Sequence, residues 1–269
     1  MQEQRPHYTL VFPAYNEEFR IRSTLELYHA EWARALQGTD RTFEFVVVAN
    51  GCTDNTNGAV QHVACDLNAM AEVRLLSIPQ ANKGTAVLQG FRAARGTDVI
   101  GFTDADGAID PATMLGIMRE AEKGNVAIGS KYLDDTQCRR AQPFVRCVAS
   151  RGWNLLVRGV LGLQVKDTQA GAKALPAECA RKIVDRVLPC NFAFDVSLLW
   201  EAKLAGYSIV EKSITWEHAA GSKFRLTCEV LPMFWALLLV RFGGGRRQQS
   251  AAGAVEVEML PSRALAEQR

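Results

Sequence analysis

Four short apolar runs, at residues 8–12, 43–49, 73–78 and 99–103, alternate with helix-patterned segments along the first hundred residues. A largely apolar run of this length, even with a polar residue such as Glu44 or Arg74 within it, suits a strand buried on both faces. Between the runs, residues 17–37 place Ile21, Leu25, Tyr28 and Trp32 on one helical face, and residues 57–71 and 84–94 also read as helices. Strands alternating with helices predict a mostly parallel sheet covered on both sides. In such sheets ligands bind beyond the carboxyl ends of the strands. Two polar loops occupy such ends, residues 13–17 after the first run and 104–107 after the fourth.

The second half is less regular. Residues 126–130 read as a short strand and 144–162 as a helix carrying Val145, Val148, Trp153, Leu156 and Val160. A further helix is expected over 194–205, a strand-like stretch over 209–216, and a strongly apolar helix over 225–242 between Arg225 and Arg241. From Gly243 the chain is rich in Gly, Arg, Gln and Ala and reads as a mobile tail. At 269 residues, 48% of them apolar, the chain can build one large core. A net charge of +2 gives no whole-chain reason to expect nucleic acid. The seven cysteines form no C-x-x-C pair, so neither a zinc cluster nor a redox pair is suggested. Their odd number, with no signal peptide, points to a reducing cytoplasm. The most apolar stretch, residues 230–240, is broken by Pro232 and falls short of the ~20 residues that cross a bilayer.

Asp104-Ala105-Asp106 follows the fourth run directly. Two carboxylates one residue apart on extended chain project to one side. There they can hold a hard divalent cation, magnesium or manganese, whose remaining ligands are waters and diphosphate oxygens. A metal so placed would neutralise charge on a departing nucleoside diphosphate. The same residues would also suit an acidic turn ahead of the helix that begins near Pro111.

Three other loops accompany the pair: Phe12-Pro13-Ala14-Tyr15-Asn16-Glu17, Asn50-Gly51-Cys52-Thr53-Asp54, and Asn82-Lys83-Gly84 ahead of a helix. Together, in order and spacing over residues 8–107, they resemble the nucleotide-sugar half of glycosyltransferase family 2. The resemblance implies a GT-A fold, an α/β architecture with a Rossmann-like, mostly parallel central sheet flanked by helices, here with amphipathic C-terminal helices. It implies that Pro13, Ala14, Tyr15, Asn16 and Glu17 line a nucleoside pocket and that Asn50, Asp104, Ala105 and Asp106 complete the donor site. Lys83 would approach a phosphate or position its loop. Asn50 has both a donor and an acceptor for a base edge, although an ordinary Asn-Gly turn is compatible with the same residues. The family usually has Asp-Asp-Gly-Ser where this chain reads Ala49-Asn50-Gly51-Cys52, which leaves uridine and guanosine both open.

Further along, Gly129-Ser130-Lys131, Asp167-Thr168-Gln169-Ala170-Gly171-Ala172-Lys173, Phe194-Asp195-Val196, and Trp216 with Gly221-Ser222-Lys223 look like the dolichyl-phosphate glucosyltransferase and mannosyltransferase branch. Ala108 follows the glucosyl pattern, since mannosyl members tend to carry Gln there. Lys131, Ala170, Ala172 and Ser197 depart from the branch, where Arg, Cys, Phe and Glu are usual. The organisation implied is a catalytic domain over 1–224, with a nucleotide-sugar half at 1–107 and an acceptor half at 108–224. The apolar helix at 225–242 and the tail at 243–269 follow.

The reaction implied is metal-dependent, inverting transfer of a hexose from a UDP-glucose-like or GDP-mannose-like donor to a polyprenyl or dolichyl-type phosphate. Such an acceptor is already ionised near neutral pH and needs no strong base. Positioning and cations that offset phosphate repulsion then suffice. Lys131, Arg139, Arg140, Arg146, Arg151 and Lys223 are the candidate cations, and Gln169 with Asp167 would orient the acceptor or brace its loop. A hydroxyl acceptor on a soluble molecule or glycan would instead need a base, for which Asp195 is the candidate, though it also suits a first-turn carboxylate. His218 is a candidate third metal ligand, since GT-A enzymes often recruit a distal histidine. A non-catalytic nucleotide-sugar binder is the reading from another class. The helices at 144–162 and 225–242 combine apolar faces with flanking arginines. That pattern suits peripheral contact with the cytoplasmic membrane face, an ordinary core, or a homo-oligomer interface.

Overall fold

In a computed structural model the described residues are 7–67, 71–133, 136–138, 144–189, 193–216, 226–243 and 256–259. The first half follows the expected alternation. It runs β1 (Tyr8–Ala14), α1 (Ile21–Leu36), β2 (Phe43–Asn50), α2 (Thr56–Asp66), β3 (Ala71–Ile78), α3 (Lys83–Ala93), β4 (Val99–Thr103) and α4 (Pro111–Ala121). The chain continues as β5 (Val126–Ser130), β6 (Gln137–Cys138), α5 (Phe144–Leu161), β7 (Ala172–Pro176), α6 (Ala177–Ile183) and α7 (Phe194–Leu204). It ends with β8 (Ile209–Ser213), β9 (Thr215–Trp216), α8 (Leu226–Phe242) and β10 (Glu256–Met259).

The main sheet has the order β10-β3-β2-β1-β4-β7-β5-β8, and β6 pairs with β9 in a small second sheet. β3, β2, β1 and β4 are mutually parallel, because each is followed by a helix that carries the chain back across a face. The order runs outward from β1 to β3, then jumps to β4 on the other side of β1. This reversal opens a crevice at the carboxyl ends of β1 and β4.

Alternate side chains of the central strands feed two cores. Leu10, Phe12, Phe45 and Val47 pack with Ile21, Leu25, Tyr28 and Trp32 of α1 and with α4. Val11, Val46, Val48, Ile100 and Phe102 pack with α3, α6 and α7. The expected stripe on α1 is therefore wholly buried. Two of its members also bind across the layer, Tyr28 Oη donating to the Ile109 carbonyl at 2.8 Å and Trp32 Nε1 to that of Pro111 at 3.0 Å.

Three features depart from the sequence reading. β7, over residues to which the sequence assigned no element, lies antiparallel between β4 and β5. The strand-like stretch at 209–216 divides into β8 and β9 around the buried Ile214. Within the expected mobile tail, β10 pairs antiparallel with the edge strand β3. No helix among the described residues is long and apolar enough to cross a membrane.

Candidate active site

The first and second loops are knitted together at the carboxyl ends of β1 and β2. Asn16 has φ of 55°, a left-handed conformation that asparagine tolerates better than most residues. Its Oδ1 accepts from the Thr53 N–H at 2.8 Å, and its Nδ2 donates to Thr53 Oγ1 at 3.2 Å. The Glu17 N–H donates to Thr56 Oγ1 at 2.8 Å, while the Glu17 carboxylate takes both Nε and Nη2 of Arg20, at 2.7 and 2.9 Å. Asn50 is buried, and its Nδ2 donates to the Ala14 carbonyl at 2.7 Å. Its amide thus braces the first loop. Pro13 and Ala14 close the buried end of β1, and Tyr15 stands exposed beyond them.

Gly51 is held at φ 61°, and a Cβ there would lie 2.7 Å from the Ala81 nitrogen. The second loop therefore packs directly on the third, the Gly51 N–H donating to the Ile78 carbonyl at 2.8 Å. Asn82 caps α3 by accepting from the Thr85 N–H at 3.0 Å and donates to the Pro189 carbonyl at 3.0 Å. Lys83 is the first residue of α3, at the end of the helix that favours anions.

Lys83 and the aspartate pair meet in the crevice. Lys83 Nζ is 2.5 Å from Asp104 Oδ1. Burial alone would push the Lys83 ammonium down, but Asp104, with Asp195 behind it, holds it above its ordinary value. Asp106 Oδ1 accepts the Ala108 N–H at 3.0 Å, and Ala105 is buried between the two aspartates. Burial, and then the neighbouring Asp104 charge, raise the Asp106 carboxyl above its ordinary range. A buried carboxyl whose ionisation is opposed by a neighbouring carboxylate is suited to a divalent cation between the two. Among the described residues no group of three His, Cys, Asp or Glu forms a metal cage. A pair leaves ligand positions for diphosphate oxygens and water, which fits magnesium or manganese.

The acceptor-side residues divide. Lys131 and Gln169 converge on the buried Asp167, whose carboxylate accepts their N–H groups at 3.2 and 3.3 Å. Asp167 and Thr168 are themselves pinned by Glu211 and Asn154. The Arg151 guanidinium lies 5.6 Å over the Tyr132 ring, beside Lys131. Arg158 turns inward and donates from Nε to the Val165 carbonyl at 2.7 Å. Asp195, in the first turn of α7, is only 4% exposed and is paired with Lys173 Nζ at 2.6 Å. His218, Lys223, Arg139 and Arg140 lie outside the described residues, as does the side chain of Arg146.

A model of the family described as Glycosyl transferase family 2 matches residues 9–183. The chain belongs to that family. Glycosyltransferase AglD of Haloferax volcanii is 30% identical over 253 residues, covering 91% of this chain and 39% of that protein. The chain thus spans well under half the length of that relative. Dolichyl-phosphate beta-glucosyltransferase of Drosophila melanogaster is 30% identical over 86% of this chain and 71% of its own. Polyprenol monophosphomannose synthase of Mycolicibacterium smegmatis is 28% identical over 77% and 76%. Among solved structures, glucosyl-3-phosphoglycerate synthase of Mycobacterium tuberculosis in complex with Mn2+, UDP and glucosyl-3-phosphoglycerate superposes with a TM-score of 0.57. It shares 19% identity, over 96% of this chain and 88% of that one. The transferase has a GT-A fold and is a glycosyltransferase.

Three residues of the candidate site received no individual role from sequence patterns. Gly171 and Lys173 belong to a recognisable motif, but a buried lysine inside an alanine-rich strand carries no periodic signal. Arg20 was missed because an arginine at a helix start looks, in sequence, like any solvated charge, whereas it is half-buried against Glu17.

Proposed function

We propose that the transferase moves a hexose from a nucleotide diphosphate to a polyprenyl-type phosphate, with inversion, using a divalent ion held by Asp104 and Asp106. The observation that carries this reading is the convergence of both carboxylates, Lys83 and the two interlocked loops on the β1/β4 crevice. The bound ion would neutralise the leaving diphosphate. Every other task falls to the chain. The loops carrying Tyr15, Asn16, Glu17 and Asn50 form the wall against which base and ribose would lie. Lys83, paired with Asp104 here, would exchange that partner for a diphosphate oxygen, assisted by the N-terminus of α3. Lys131 and Gln169, fixed by Asp167, would face the acceptor phosphate together with Arg151.

The acceptor class is supported by the relatives named for dolichyl phosphate and polyprenol, and by the apolar surface on α8. Phe234, Trp235, Leu239 and Phe242 are exposed there, beside Arg241, while Leu237 and Val240 face the core. An exposed aromatic face with a cation at its end suits peripheral contact with a lipid surface. Asp195 is buried with its Oδ1 engaged by Lys173 Nζ, which keeps it from meeting an acceptor hydroxyl and favours a charged acceptor.

The test is product formation from UDP-glucose and from GDP-mannose with Mn2+, offered a short polyprenyl phosphate or a soluble sugar. The reading expects transfer to the lipid phosphate and its loss in Asp106→Ala, by at least about 100-fold. Transfer to the soluble acceptor alone would contradict the acceptor assignment. Undiminished turnover in Asp106→Ala would contradict the metal assignment.

A further inference from the structure

β7 borders the metal-binding carboxylate on the side away from β1. Its register sets Lys173 opposite Phe102 and Ala172 opposite Thr103, so the residue just before it, Gly171, comes beside Asp104. Two close approaches follow. The Asp104 N–H donates to the Gly171 carbonyl at 3.1 Å. A Cβ at Gly171 would lie 2.1 Å from Asp104 Oδ2 and 2.8 Å from its Cγ, an overlap that no side-chain adjustment short of moving the carboxylate relieves.

Lys173 secures the same turn from behind. It is fully buried, and its Nζ donates to the Ala170 carbonyl at 2.7 Å and to Asp195 Oδ1 at 2.6 Å. The Ala170 carbonyl belongs to the peptide that leads into Gly171, so the ammonium group fixes the plane from which Gly171 departs. The Phe102 ring lies 5.4 Å from the same Nζ. An apolar side chain of similar volume would satisfy the core at lower electrostatic cost, since a buried ion pair rarely stabilises more than its hydrophobic replacement. Burial indeed lowers the Lys173 ammonium below its ordinary value in spite of Asp195. What a hydrophobe could not do is hold the Ala170 carbonyl and the first turn of α7 at one point.

We propose that Gly171 and Lys173 are positioning residues that set the Asp104 carboxylate from the neighbouring strand. Gly171 does so by lacking a side chain, and Lys173 by clamping the Ala170–Gly171 peptide to Asp195. The proposal rests on the reading of Asp104 as a metal ligand, and both residues act through that carboxylate.

The test is direct binding of Mn2+ alone to the full chain, followed by titration calorimetry, with thermal melting of each variant alongside. Gly171→Ala and Lys173→Met are expected to weaken Mn2+ binding by about 10-fold or more, the range for residues that orient a ligand. Leu175→Val, on the same strand with its side chain in the core, should lower the melting temperature and leave Mn2+ affinity at the wild-type level. Wild-type affinity in Gly171→Ala would overturn the proposal even if Lys173→Met fails to fold. An equal loss in Leu175→Val would overturn it too, by tracing the effect to general loosening of β7. Should the wild-type chain bind no Mn2+, the metal reading itself fails and takes this proposal with it, an outcome distinct from both.

Discussion

The aspartate pair shows at the residue scale how a site stores instability for use. Asp106 has its carboxyl raised by burial and by Asp104, so the folded metal-free chain holds that proton more tightly than the unfolded chain does. In the window between the ordinary carboxylate range, near ~4, and the raised folded value, stability falls as pH rises. Above that window the whole penalty is present, and below it the penalty is absent. Asp106→Asn should therefore raise the stability of the metal-free protein at neutral pH, by about 1 kcal/mol, and flatten this limb of its pH dependence. Chemical denaturation in a chelator at several pH values checks it. Lys83 belongs to the same scale. Lys83→Met should weaken donor binding or turnover by about 10–100-fold, since it removes a cation from the place where, on the proposed reading, diphosphate charge would collect. Steady-state kinetics with either donor reads the loss.

Loop sequences, more than strand sequences, pointed to the candidate site, and the element scale shows why. Apart from Lys83, which opens α3, each donor-side residue singled out sits at the carboxyl end of a parallel strand, where largely apolar runs give way to turn residues. The runs fix the sheet, and the sheet fixes the ends. β7 escaped because Ala-Lys-Ala-Leu-Pro has no alternation and no β-branched residue, so only pairing with β4 and β5 makes it a strand. The Lys173–Asp195 pair escaped with it, being a contact between residues 22 apart that no local spacing announces. Another buried carboxylate, Glu44 on β2, lies at the opposite end of the sheet from the candidate site. It accepts from Thr9 Oγ1 and from the Arg95 N–H, each at 2.6 Å, and pairs with Arg74 at 3.4 Å. Glu44→Ala would strand these buried partners and should cost about 3 kcal/mol of stability. Because the network is remote from the crevice, kcat measured where the variant remains folded should match the wild type.

For the whole molecule, the sheet reversal at β1/β4 places the donor crevice on one edge of the layers, while α5, α7 and α8 pack together on one face of the sheet. The apolar character of α8 was plain in the sequence, but its division was not. Leu237 and Val240 serve the core, whereas Trp235 and Phe242 are 66% and 75% exposed, the Phe242 ring lying under the Arg241 guanidinium at 5.5 Å. Replacing both aromatics with serine should weaken association with anionic vesicles by about 100-fold, roughly a factor of ten for each ring withdrawn from the lipid, with little change in melting temperature. A fall in melting temperature with unaltered vesicle binding would instead assign the face to packing.

The central claim is that Asp104 and Asp106 hold a divalent ion against a nucleoside diphosphate. Calorimetric titration of UDP and of GDP, each with and without Mn2+, into wild-type and Asp106→Asn protein addresses it most directly. The account predicts that one nucleotide binds at least about 10-fold more tightly with the ion in the wild type, and that the gain disappears in the variant. A gain that survives the substitution, or the absence of any gain for both nucleotides, would contradict it.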